Sequence, residues 1–163
     1  MKPKVRVCVT TLVSLALPLI ASAKGDTIRI LIRSATLSAP IEISDPALIN
    51  RFNVWPGPGT GPTVDPEGLN VDWSRGIART PEGLRSYIVS FVTTRSNPST
   101  YVVRYAVESV SKQGYVYIPG KADANYRDNL WSIYRGIEGN WFYASKAWQA
   151  LVDPLISNNR KPH

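Results

Sequence analysis

One cysteine, Cys8, and one histidine, His163, are all that the 163-residue chain holds of the two side chains most used for nucleophilic catalysis and metal ligation. Cys8 falls in an N-terminal segment expected to be removed. The remainder can then form no disulfide, no thiolate nucleophile and no cysteine-ligated metal site. A lone terminal histidine also excludes a serine–histidine pair and a histidine-rich metal set, so no metal and no cofactor are expected. Long apolar runs are scarce: Val7–Ile20 covers 20 − 7 + 1 = 14 positions and contains Pro18, short of the ~20 that span a bilayer. Clustered positive charge is lacking too. Only Arg160 and Lys161 are adjacent, and the other cations are dispersed, so the chain has neither the patch nor the module of a nucleic-acid reader.

What is present at the N-terminus has three parts: a basic stretch with Lys2, Lys4 and Arg6, the apolar run, and Ala21-Ser22-Ala23 with small residues at both inspected positions. This is the order of a secretory signal. Residues 1–23 are expected to be cleaved, leaving a single domain at 24–163, which is 163 − 23 = 140 residues. That length supports a proper core without staples. The product is expected to be secreted or periplasmic, in a bacterium, with no stable membrane span after cleavage. Its formal charge falls from 19 − 12 = +7 to 16 − 12 = +4, a mild basicity that fits ordinary solubility or, as the alternative, weak attraction to anionic envelope polymers.

Along the chain, Ile28, Ile30 and Ile32 alternate with Arg29 and Arg33, the period of a half-buried strand, and Ile41 and Ile43 continue it. Asp45-Pro46 reads as a helix start, with Asp45 as cap. Trp55 to Gly68 is a loop rich in proline and glycine, and Leu69–Trp73 is a possible short strand. The clearest sheet signal follows: Tyr87, Val89 and Phe91, then Tyr101, Val103 and Tyr105, then Tyr115-Val116-Tyr117-Ile118, joined by short turns that favour an antiparallel meander. Helical spacing takes over after Asp123, with Tyr126, Leu130, Ile133 and Tyr134 on one face. A second helix is expected to open near Asn140, with Trp141, Ala144, Trp148, Leu151, Val152 and Leu155 inward and Pro154 ending its regular part. The fold class read from this order is α+β: an antiparallel sheet, meander plus N-terminal strands, covered on one face by two C-terminal helices.

Four stretches, Leu37–Ile43, Arg51–Trp55 with Gly57-Pro58-Gly59-Thr60, Gly114–Gly120 and Arg135–Phe142, resemble a family of secreted bacterial proteins with no assigned activity. The resemblance implies export and a single domain. It brings no ligand and no catalytic residue.

Three groups of residues are candidates for a site. The turn from Trp55 through Gly57 and Gly59 could present backbone N–H groups as an anion nest, against the plainer role of a rigid connection, and its GPGTG run lacks the Lys-Ser/Thr ending of a nucleotide loop. The aromatic set, with Asp72 beside Trp73 and the pair Tyr115 and Tyr117, could hold a sugar, although the same rings serve a core. With no usable histidine, acid–base work would need two carboxylates about 5–10 Å apart, for which Asp72 and Glu138 are the best pair against capping or surface roles. Ser145 and Lys146 would point to different faces of a helix. The expectation is an exported, non-enzymatic binding or interaction domain, its partner an envelope glycan or a protein, with Trp55, Gly57, Gly59, Asp72 and Trp73 as ligand contacts. The alternative is a carboxylate-dependent polysaccharide hydrolase. A pocket holding two carboxylates would favour the hydrolase, and an aromatic shelf would favour binding.

Overall fold

A computed structural model describes residues 27–52, 70–93, 100–126 and 137–161. The expected signal segment, the loop with Trp55, Gly57 and Gly59, and most of the first C-terminal helix, from Leu130 to Tyr134, lie outside the described residues.

The described strands form one seven-stranded sheet in the order β2-β1-β4-β5-β6-β7-β3. They are β1 Thr27–Arg33, β2 Ile41–Ile43, β3 Ile77–Ala78, β4 Ser86–Thr93, β5 Thr100–Val107, β6 Gly114–Ile118 and β7 Asn140–Tyr143. Every pairing is antiparallel. Strand alternation decides the two faces, since successive side chains point oppositely. Ile30, Ile32, Val89, Phe91, Val103, Tyr105, Val116 and Phe142 are buried on what we term the inner face. Ile28, of the same sequence parity as Ile30, is nevertheless exposed. The β1–β4 register shifts between Thr27 and Arg29, and such an irregularity rotates the strand below it.

Among the described residues, two helices cover the inner face. In α1, Pro46–Arg51, Asp45 caps by accepting from the Ala47 N–H and Pro46 occupies the first turn, as the sequence indicated. The second, α2, spans Lys146–Asn158 and is capped by Ser145, whose side chain accepts from the Trp148 N–H. Trp148, Val152 and Ile156, four apart, are its buried residues. The Trp148 ring lies 5.2 Å from Phe52, 6.0 Å from Phe91 and 6.1 Å from Tyr105.

Two readings of the C-terminal region are corrected. Of the two C-terminal helices expected, the described residues contain the second. That helix begins at Lys146 rather than near Asn140, because Asn140-Trp141-Phe142-Tyr143 pairs with β6; a run of aromatics suits a pleated strand, and the Ser145 cap fixes the true start. Pro154 does not end α2, which continues to Asn158. Upstream, among the described residues 70–73 of the expected Leu69–Trp73 strand, only Val71 makes a bridge, to Ala144. Trp73–Arg75 is then a short 3₁₀ turn, and the brief β3 follows.

Candidate functional site

The outer face of β6 and β7 carries an aromatic shelf. In Gly114-Tyr115-Val116-Tyr117-Ile118 the aliphatic residues point inward and are buried, which sends both tyrosines outward and leaves them half-buried. In β7 the inward residue is Phe142, so Trp141 and Tyr143 face outward. The antiparallel register sets Tyr115 opposite Tyr143 and Tyr117 opposite Trp141. Directly opposed residues meet as cross-strand pairs. The first pair has ring centroids 5.6 Å apart and the second 5.1 Å, with interplanar angles of 37° and 41°.

The close approach of two glycines sets where β6 ends and β7 begins. A Cβ on Gly120 would lie 2.8 Å from Gly139 Cα, and Gly139 has φ +80°, a region that disfavours a side chain. The Gly139 N–H then donates to the Ile118 carbonyl at 2.8 Å. The pairing that aligns Tyr117 with Trp141 follows.

Charged groups frame the rings. Arg104 of β5 stands opposite Tyr117, its Cζ 5.2 Å from the ring centroid, and its Nη2 donates to Asp123 Oδ1 at 2.5 Å. Asp123 Oδ2 accepts from the Tyr117 hydroxyl at 2.6 Å and from the Gly120 N–H at 2.9 Å. Burial alone would push the Asp123 carboxyl up, but the bonds from Tyr117 and Gly120 and the Arg104 charge outweigh it and hold it below the usual carboxylate range. The Tyr117 phenol is raised, first by burial and then by donating to Asp123. At the other pair, Arg75 lies over Tyr143 with Cζ 3.5 Å from the centroid, within cation–π range, and its Nη1 donates to Gln113 Oε1 at 2.8 Å. Both guanidiniums are therefore held in fixed positions.

The sequence candidates fall variously around this shelf. Asp72 caps the 3₁₀ turn, accepting from the Ser74 N–H at 3.1 Å and the Ser74 hydroxyl at 2.6 Å, and Trp73 packs edge-on against Phe142 with centroids 5.1 Å apart. Their work is to hold the turn that delivers Arg75 to Tyr143. Asp72 lies beside the far end of β7, its N–H donating to the Tyr143 carbonyl, whereas Glu138 precedes the near end. Their backbones are thus separated by the length of β7, about 10 Å of strand rise. Ser145 is the cap of α2 and Lys146 its first residue.

Sequence reasoning placed Trp141 in the core and assigned Arg104 no role; neither carried a local signal that marked it. Tyr115 and Tyr117 were singled out, and the structure brings both to the shelf.

The arrangement is suited to holding a ligand rather than to proton transfer. The hydrogen bonds and the Arg104 charge around Asp123 favour its ionised form. Among the described residues the other carboxylate with a shifted pKa is Asp153 on α2, raised by burial even though the Tyr105 hydroxyl donates to it at 2.6 Å. Asp153 lies against the inner face and Asp123 against the outer, so the sheet stands between them. Comparison of the chain with known protein families, with curated proteins and with solved structures returns no match.

Proposed function

We propose that this is an exported, non-enzymatic binding domain that holds a glycan on the outer face of β6 and β7. The observation that carries the reading is the Tyr117–Trp141 pair flanked by the Arg104–Asp123 ion pair. Adjacent rings offer an apolar surface to the faces of sugar rings, while a fixed guanidinium and carboxylate at the margin can bond hydroxyls. Groups already held in place lose little freedom on association. The hydrolase alternative needs two carboxylates on one side of a bound sugar, and the arrangement of Asp123 and Asp153 on opposite faces does not favour it.

Affinity electrophoresis through gels containing individual polysaccharides tests the reading. At least one polymer is expected to retard the protein, and Trp141→Ala should weaken that retention about tenfold or more, equivalent to ~1.4 kcal/mol. Because Trp141 packs on Tyr117, circular dichroism of the variant provides the folding control. Tyr117→Phe, which keeps the ring and removes the bond to Asp123, should keep part of the affinity. Undiminished retention of a folded Trp141→Ala protein would sink the proposal.

A further inference from the structure

The shelf is one end of a longer row. Register pairs run Arg33 to Ile88, Ile88 to Arg104, Arg104 to Tyr117 and Tyr117 to Trp141, so five strands contribute one outer-face residue each in a line perpendicular to the strands. Four strand spacings separate Arg33 from Trp141, about 19 Å, a span that suits a polymer rather than a single sugar. Where the row reaches β1 there is a cavity of about 530 Å³ lined by Arg33, Ser34, Pro40, Ser86 and Ile88, among others. Ile88 is 43% exposed, an apolar floor between two arginines.

Charge along this face is unbalanced. Arg29 pairs with Glu42 at 3.9 Å and Arg104 with Asp123 at 2.5 Å. Arg33 and Arg75, both exposed, have no carboxylate at ion-pair distance among the described residues. Arg33 stands at the cavity, and a guanidinium is the side chain best matched to a carboxylate or sulfate in two-point contact.

We propose that the polymer held on the shelf is a linear acidic polysaccharide lying across the strands, with sugar rings on Tyr117 and Trp141 and an acidic group on Arg33 in the cavity beside Ser86. This rests on the glycan reading of the shelf and extends it to the far side of the sheet. A single-stranded nucleic acid is the less suitable occupant. Asp123 already neutralises Arg104, which leaves Arg33 as the one guanidinium of the row with no carboxylate partner among the described residues, a single anionic subsite beside an aromatic surface rather than a track of cations along a phosphate backbone.

The test compares polygalacturonate with its methyl ester, the same backbone with and without charge, on the full chain in affinity electrophoresis. Wild type should bind the acid form about tenfold more tightly than the ester, the scale of a charge-assisted bond, and the difference should shrink as salt screens it. Arg33→Gln should lower acid-form binding much more than ester binding, removing the preference between the two, while Trp141→Ala should weaken both. Equal wild-type affinity for the two forms, or an unchanged preference in Arg33→Gln, overturns the acidic-ligand proposal and leaves the shelf standing. Absence of binding to either form overturns the acidic-ligand proposal, and indifference of both to Trp141→Ala overturns the shelf reading and this proposal with it. Preferential binding of single-stranded DNA overturns the proposal as well.

Discussion

Trp148 is fully buried, and rings from α1's flank, β4 and β5 converge on it. Trp148→Ala would leave a void bounded by Phe52, Phe91 and Tyr105 that aromatic neighbours on a sheet cannot close. A loss of about 3–5 kcal/mol is expected, a large share of a small domain's stability, measurable by urea denaturation; a loss under about 1 kcal/mol would contradict this packing. Asp153 behaves differently. Its folded pKa is raised above the ordinary 3.8 by burial, so protonation favours the folded state. Its contribution is present in full below the unfolded pKa and is lost as pH rises through the folded one. Asp153→Asn keeps an oxygen to accept from Tyr105 and removes the charge that burial disfavours. The variant should therefore match wild type near pH 3 and be the more stable of the two near neutrality, as thermal melts across pH would show. A wild-type advantage at neutral pH would mean that Arg160 and Lys112 outweigh the desolvation.

At the scale of elements, α2 contains its own test. Pro154 is exposed within the helix, where it donates no hydrogen bond and its ring presses on the preceding turn. The helix persists because Val152 and Ile156 on either side are buried. Pro154→Ala restores the missing N–H. An interior proline is disfavoured by about 3 kcal/mol, and the more flexible unfolded chain offsets up to about 1 kcal/mol of that. A net gain of about 2 kcal/mol is expected in denaturation experiments, and a loss would mean that the proline sets a bend on which the packing depends. These elements also mark where the sequence was legible. Period-two alternation identified β1, β4, β5 and β6 because their inner-face positions are mostly apolar, although Leu31, Ser90, Val102 and Ala106 on the opposite face are buried too, and Asp45-Pro46 identified α1 because a cap is a local interaction. Trp141 was misread because Trp141, Ala144 and Trp148 also fit a helical face; pairing with β6, a tertiary contact, overrides that period. The outward direction of Tyr117 could be known only once α2 was seen on the opposite side. Its partner Asp123 meets Arg104 across 19 positions of chain, and no spacing rule encodes that contact.

For the molecule as a whole, export is the property most directly checked. If the segment ending Ala21-Ser22-Ala23 is removed as proposed, the intact mass of the protein recovered outside the cytoplasm corresponds to a chain beginning at Lys24. A mass that includes Met1–Ala23 would contradict it. The sheet is bounded by β2 and β3, of three and two residues, and edges this short offer little template for a stray strand to extend.

Residues after α2 are fastened to the β1–β2 connection. Leu37 bridges Arg160, the Ser38 N–H donates to the Asn159 carbonyl at 2.9 Å, Asn159 Nδ2 donates to the Ala39 carbonyl at 2.8 Å, and the Lys161 N–H donates to the Thr36 carbonyl at 3.1 Å. These contacts join positions about 120 residues apart. Loop closure of that length is slow, and α2, which supplies Trp148 to the core, is synthesised more than 100 residues after β1. During synthesis the early strands therefore wait without their cover. The growing chain cannot lock into its final form before α2 has been made.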